Sequence, residues 1–114
     1  MPEFMVVLRG KDPELKRMGR DEAARIMENY YSWVDRLKQD RRYLGGSPFR
    51  EGSKLLSAKK EFVVIMDGPY AKNGEALSGY FVVSAKDITD AIEIAKSCPA
   101  LSHGETVEVV ELDN

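Results

Sequence analysis

Residues 80–95 read Tyr80-Phe81-Val82-Val83-Ser84-Ala85-Lys86-Asp87-Ile88-Thr89-Asp90-Ala91-Ile92-Glu93-Ile94-Ala95, and the pattern changes partway through. Tyr80 to Val83 is an aromatic and β-branched run, which predicts a strand. Asp87 then stands where a helix cap belongs, with Asp90 three positions on, a weaker form of the reciprocal cap in which Ser or Thr is followed by Glu. Ile88, Ala91, Ile92 and Ala95 follow at helical spacing and predict one buried stripe. Cys98-Pro99 stops the helix, because proline cannot continue the hydrogen-bond ladder. Thr106 to Leu112 then largely alternates, as a last strand with one wet face would.

Upstream, Phe62-Val63-Val64-Ile65-Met66 and Leu55-Leu56-Ser57-Ala58 flank Lys59-Lys60-Glu61, a polar tip of hairpin length. Asp67-Gly68-Pro69 ends that hairpin: glycine permits positive φ, proline fixes φ, and aspartate bonds to its own turn. Tyr43 to Pro48 holds only a short strand segment, since Gly45, Gly46 and Pro48 all weaken a ladder. Before it, Ala23, Ile26, Met27, Tyr30, Val34 and Leu37 keep helical spacing from about Arg20 to Gln39. Asp21 and Glu22 suit the positive end of that helix, and Arg36, Lys38, Arg41 and Arg42 its negative end. Phe4 to Leu8 is a first strand, and Lys11 to Gly19 reads as a loop.

The order is therefore strand, helix, short strand, hairpin, strand, helix, strand. Hairpins imply antiparallel neighbours and the helices act as crossovers, which predicts an α+β fold: a ferredoxin-like antiparallel sheet with two helices on one face. The other sheet face then needs cover, and pairing with a second copy would supply it.

At 114 residues the chain is one domain, 1–114, since a second core would leave each half too small to bury itself. Apolar residues at 43% and a net charge of −2 exclude a disordered chain and a charge-driven binder of nucleic acid or anionic lipid. A single cysteine and a single histidine exclude structural zinc, disulfide frameworks and CxxC redox chemistry. No metal or cofactor is expected. The longest fully apolar runs, Phe4 to Leu8 and Phe62 to Met66, are far short of a membrane span, and a cytoplasmic location is the expectation.

Asp67-Gly68-Pro69-Tyr70-Ala71, then Leu77-Ser78-Gly79-Tyr80, the alanine-rich helix ending at Cys98-Pro99, His103-Gly104 and Val107-Glu108-Val109 together resemble the DGPF branch of the YCII-related proteins, nearly end to end. The resemblance implies a small bacterial or related protein whose ferredoxin-like unit dimerises into an α/β barrel. It implies no assigned biochemical role. The chain departs from the branch at Lys72-Asn73-Gly74-Glu75, where Glu-Thr-Lys-Glu is usual, so only the final acid survives. It also carries Val110 where an arginine is common, which removes an anion contact. The histidine that some YCII members place near the first strand is absent here, and the single imidazole is His103.

Asp67 follows an apolar strand, where desolvation would raise its pKa and fit it for general acid/base work; the bland alternative is a turn residue holding the Gly-Pro corner. Glu75 is a second candidate carboxylate or a solvated loop acid. His103 is a proton shuttle or an exposed loop imidazole. Gly68, Pro69, Tyr70, Tyr80 and Tyr31 are candidate contacts for a small organic ligand, although Tyr30, Tyr31, Trp33, Tyr70 and Tyr80 serve equally as packing aromatics. Cys98 lies at the negative end of a helix, a poor place for a thiolate, and reads as packing. The strand of Phe62 to Met66 superficially resembles that of an RNA-recognition domain, but it lacks the glycine and second aromatic of that motif.

Two functions remain: a homodimeric protein for a small molecule, with lyase or isomerase chemistry run by Asp67 with His103 or Glu75, or a non-catalytic interaction module. The resemblance adds that such domains occur beside extracytoplasmic-function sigma factors, which favours a regulatory partner in the second case.

Overall fold

The computed structural model describes residues 1–11, 19–50 and 52–114. The strands and helices run β1 (Glu3–Lys11), α1 (Arg20–Gln39), β2 (Tyr43–Pro48), β3 (Lys54–Lys59), β4 (Phe62–Asp67), β5 (Ala71–Lys72), β6 (Glu75–Ser84), α2 (Ile88–Lys96) and β7 (Thr106–Glu111), with a 3-10 turn at Pro99–His103. The predicted loop before α1 lies almost wholly outside the described residues.

The main sheet has the order β2-β6-β1-β7, every pair antiparallel, with β5 added to the start of β6. This is the α+β, ferredoxin-like arrangement expected from the order of elements. β1 sits centrally and is apolar toward both sides: Phe4, Val6 and Leu8 are buried on the helix side, while Met5 and Val7 between them are half-buried on the other. Phe81 and Val83 of β6 complete the same inner face.

Trp33 and Leu37 of α1 and Ala91, Ile94 and Ala95 of α2 close the core from the helix side. The Trp33 ring meets Phe81 edge-on at 4.9 Å between centroids, and its indole N–H donates to Ser97 Oγ at 2.9 Å, so the largest core side chain carries no orphan donor. The predicted stripe of α2 is corrected by this packing. Ala91 and Ala95 are buried as expected, but Ile88 and Ile92 are 44% and 42% exposed, and Ile94 takes the inner place. The helix turns so that Ala91, Ile94, Ala95 and Cys98 face the sheet, and Ile88 and Ile92 line an open groove against β7.

The expected cap of α2 is present: Asp87 Oδ1 accepts from Asp90 N at 2.9 Å. Asp90 in turn accepts from Arg42 Nη1 at 2.6 Å and from Lys86 N at 2.9 Å, fastening the helix start to the α1–β2 turn. Arg42 first, and the Lys86 N–H second, hold the Asp90 carboxyl below the usual carboxylate range.

The predicted hairpin forms as β3 and β4, with Leu55 opposite Met66 and Lys59 opposite Phe62. It is a separate two-stranded sheet. Its projection is visible in the dimensions: the radius of gyration is 15.9 Å, against about 13 Å for a compact chain of this length. The main sheet's outer face carries Met5, Val7, Tyr80, Val82 and Val110, with no helix over them among the described residues.

Candidate functional site

Among the described residues, a partly buried cluster of hydrogen-bonding and titratable groups lies at the end of the sheet where β1 finishes and β6 begins. It is built from the turn that follows α2. Pro99 starts the 3-10 turn, and Gly104 ends it with φ of 86°, a left-handed conformation that favours glycine. The Ala100 carbonyl accepts from the N–H groups of Gly104 and Glu105, which fixes the corner. His103 and Glu105, either side of that glycine, therefore point to one place. Their side chains are 11% and 13% exposed, with His103 Nδ1 3.8 Å from Glu105 Oε2.

Tyr30 reaches the cluster from α1, its hydroxyl 3.5 Å from His103 Nε2 and its ring edge-on to the imidazole at 6.1 Å. The other face of Tyr30 stacks on Phe81, 6.0 Å away, so the core holds the phenol in position. Ser78 of β6 donates to Glu105 Oε1. Gly10 of β1 lies directly below: a Cβ there would stand 2.8 Å from Glu105 Oε1, so the strand admits the carboxylate only because the side chain is missing. Burial, then the nearby charges of Cys98 and Glu105, push the Tyr30 phenol well above its ordinary range, so it is a neutral proton donor at physiological pH. Cys98, buried beside them, has its thiol pushed up to about 11, chiefly by desolvation, which fits the packing role read from its place in the helix.

The other candidates stand elsewhere. Glu75, at the start of β6, accepts from Thr106 Oγ1 at 3.2 Å on the rim of the same sheet end. Asp67 ends β4 on the projecting hairpin, where its side chain is 83% exposed and pairs with Lys54. Gly68 N donates to Ser53 O at 2.8 Å, closing the hairpin base, and the Gly68–Pro69 peptide is cis. Tyr70 and Tyr31 are 71% and 64% exposed. Tyr80 is half-buried on the outer sheet face, with the Phe49 ring 5.9 Å from its own. The structure thus brings His103 together with Tyr30, Glu105 and Ser78, and does not bring Asp67 to it.

Glu105 and Ser78 are the members that sequence reasoning missed. Glu105 had a local signal, because a glycine between two polar side chains in a turn lets both face one way. Ser78 had none: it stands in β6 where the β1–β6 register shifts, so that Leu8 pairs with Gly79 and Arg9 with Leu77.

An open concavity of about 480 Å³ is a mostly apolar groove between α2 and β7 lined by Ile88, Ile92, Leu101 and Val107, with none of the sequence-predicted site residues on it. Among the described residues no group of His, Cys, Asp and Glu has the arrangement of a metal site, and no helix is long and apolar enough to cross a membrane.

No curated protein matches the chain. The family model of the YCII-related domain matches residues 3–113, from the first residue of β1 to beyond the end of β7. With the sheet order and the His103 corner in place, that match covers every element described above, and the chain belongs to the YCII-related domain family.

Proposed function

We propose that the protein is a homodimer that binds a small organic molecule and moves a proton on it at the His103 cluster, as a lyase or isomerase would. The observation that carries this reading is the convergence of Tyr30, Ser78, His103 and Glu105 from three separate parts of the fold. The division of labour follows from the geometry. His103 is the acid/base group, and the Glu105 carboxylate stands 3.8 Å from its Nδ1. Ser78 holds Glu105 in place. Tyr30, kept protonated by burial, is the donor to a developing oxyanion. Glu75 stands at the rim, and Asp67 pairs with Lys54 at the hairpin base. The DGPF branch remains the finer assignment that Asp67 to Ala71, Ser78 to Tyr80 and His103-Gly104 support.

Dimerisation rests on the uncovered outer face of the sheet, whose Met5, Val7, Tyr80, Val82 and Val110 a second copy would cover. Light scattering at micromolar concentration is expected to give twice the chain mass, and a stable monomer removes this part of the reading.

A thermal-shift screen of small carboxylic acids and lactones tests the site. The expected result is a compound that raises the melting temperature of the parent and is turned over by it, with turnover lost in His103→Gln and kept in Asp67→Asn. Undiminished turnover by His103→Gln would overturn the assignment. The exposed hairpin favours the second reading, a module for another protein; stabilisation by a protein partner alone, with no small molecule bound, would decide for it.

A further inference from the structure

β3 and β4 pair only with each other, and they are apolar on both faces. Leu56 and Ile65 lie opposite one another on one face, 60% and 65% exposed; Phe62 and Met66 lie on the other, 64% and 49% exposed. A two-stranded hairpin by itself is marginal in water. One that shows large apolar side chains on each side needs cover on each side.

Where the hairpin is rooted indicates what covers it. Phe49 N donates to Ser78 O at 2.9 Å and its ring rests by Tyr80, so the chain leaves β2 on the side of the open sheet face. A strand of six residues is about 20 Å long, and crossing from β2 to β7 takes three strand spacings, about 14 Å. The hairpin is long enough to traverse such a face and reach its far edge. Its charges fit that edge. Lys59 and Lys60 stand at the hairpin tip with Glu61 beside them, and Lys54 is paired with Asp67 at the base, whereas residues 97–114 contain Glu105, Glu108, Glu111 and Asp113 and no lysine or arginine. Glu108 is taken by Arg9 at 2.6 Å, while Glu111 and Asp113 make no ion pair among the described residues. Area points the same way: a stable interface uses about 20–30 residues a side, more than the outward positions of one four-stranded face supply, and β3 and β4 add six each.

We infer that the β3–β4 hairpin is an intermolecular arm that lies across the open sheet face of a second copy, with its Lys59–Lys60 tip against the acidic β7 edge at Glu111 and Asp113. The inference rests on the homodimer reading above and names the segment that makes the dimer tight. The arm of each copy covers the face of the other, so the contact closes on itself after two chains.

Sedimentation velocity across a dilution series tests it. In one variant Asn-Gly replaces residues 54–67, which keeps the Ser53–Gly68 closure. In a second, Lys59→Glu and Lys60→Glu reverse the tip; in a third, Glu111→Lys and Asp113→Lys are added to the second. The parent is expected to be dimeric, the arm-less chain to dissociate at concentrations at least tenfold higher, the tip reversal to do likewise at low salt, and the charge swap to recover most of the loss. A monomeric parent overturns the dimer and the arm together. A dimeric parent whose affinity is untouched by removing the arm overturns the arm alone and leaves the dimer standing. Tip reversal without rescue by the swap overturns the contact with Glu111 and Asp113. The charge variants alter exposed side chains only, so they carry the test even if the arm-less chain does not fold.

Discussion

β6 and β4 share a composition and meet opposite fates. Phe81 and Val83 are 8% and 0% exposed, whereas Phe62, Val63 and Ile65 are 64%, 57% and 65% exposed. Both segments are aromatic and β-branched, both form strands, and both pair with an antiparallel neighbour. The difference lies in what stands above them. β6 is flanked by β1 and β2 and roofed by two helices, while β4 has β3 and nothing else among the described residues. Local composition decides that a segment extends, and the next layer decides whether extending buries anything.

Several substitutions sharpen or break this contrast. The largest effect is expected at the buried strand: Phe81→Ala should lower the unfolding free energy by about 3–5 kcal/mol, since Tyr30 and Trp33 both pack on its ring. Ile65→Ala, on the hairpin, should change it by no more than about 0.5 kcal/mol in protein dilute enough to be monomeric. Equal losses in urea titrations of the two variants would break the contrast.

A second test uses pH. The Cys98 thiol is pushed from 9.0 to about 11 in the folded state, and Tyr30 is raised from 10.0. Both groups hold their protons more tightly when folded, so their contribution is complete below pH 9 and is lost as pH rises through and beyond that value, by up to about 2 kcal/mol for the thiol. Urea midpoints at pH 8 and pH 10.5 should differ in the parent and differ less in Cys98→Ala; an unchanged pH dependence in that variant would deny the burial of the thiol.

Asp87→Ala should lower stability by about 1 kcal/mol through the lost cap of α2, read as a shift in the thermal midpoint, with Asp87→Ser close to the parent. The smallest effect belongs to the hairpin. Asp67→Asn removes an exposed pair with Lys54, a contact worth about 0–1 kcal/mol, and leaves the backbone closure from Gly68 N to Ser53 O in place. A large loss there would show that Asp67 is buried in the assembled protein.

The parts of this fold that were legible in the sequence are those written locally: the Asp87–Asp90 cap, the proline stop after Cys98, the lysine hairpin tip and the alternation of Thr106 to Leu112. The rotation of α2 was not, because Ile88-Ala91-Ile92-Ala95 and Ala91-Ile94-Ala95-Cys98 are both apolar stripes at helical spacing, and only the sheet chooses between them. β6 begins five residues before the Tyr80 strand, with Gly79 buried in it; glycine has no strand propensity to announce itself. Trp33 sits on the same stripe as Tyr30 and Leu37, and its core role was obscured by reading the aromatics together. His103 was visible as the single imidazole, but Tyr30 lies 73 positions from it, and no local pattern reports such a meeting.

β1 pairs with β6 on one side and β7 on the other, so Phe4 stands between Val83 and Glu111. During synthesis the central strand is made well before either of its neighbours. Until β6 emerges, Phe4, Val6 and Leu8 have helix α1 as cover and no ladder to join, and everything between β1 and β7 must be made before the sheet can close. Closure of this sheet is therefore expected to wait for β7, with a nascent chain that stops short of that strand open to capture by chaperones.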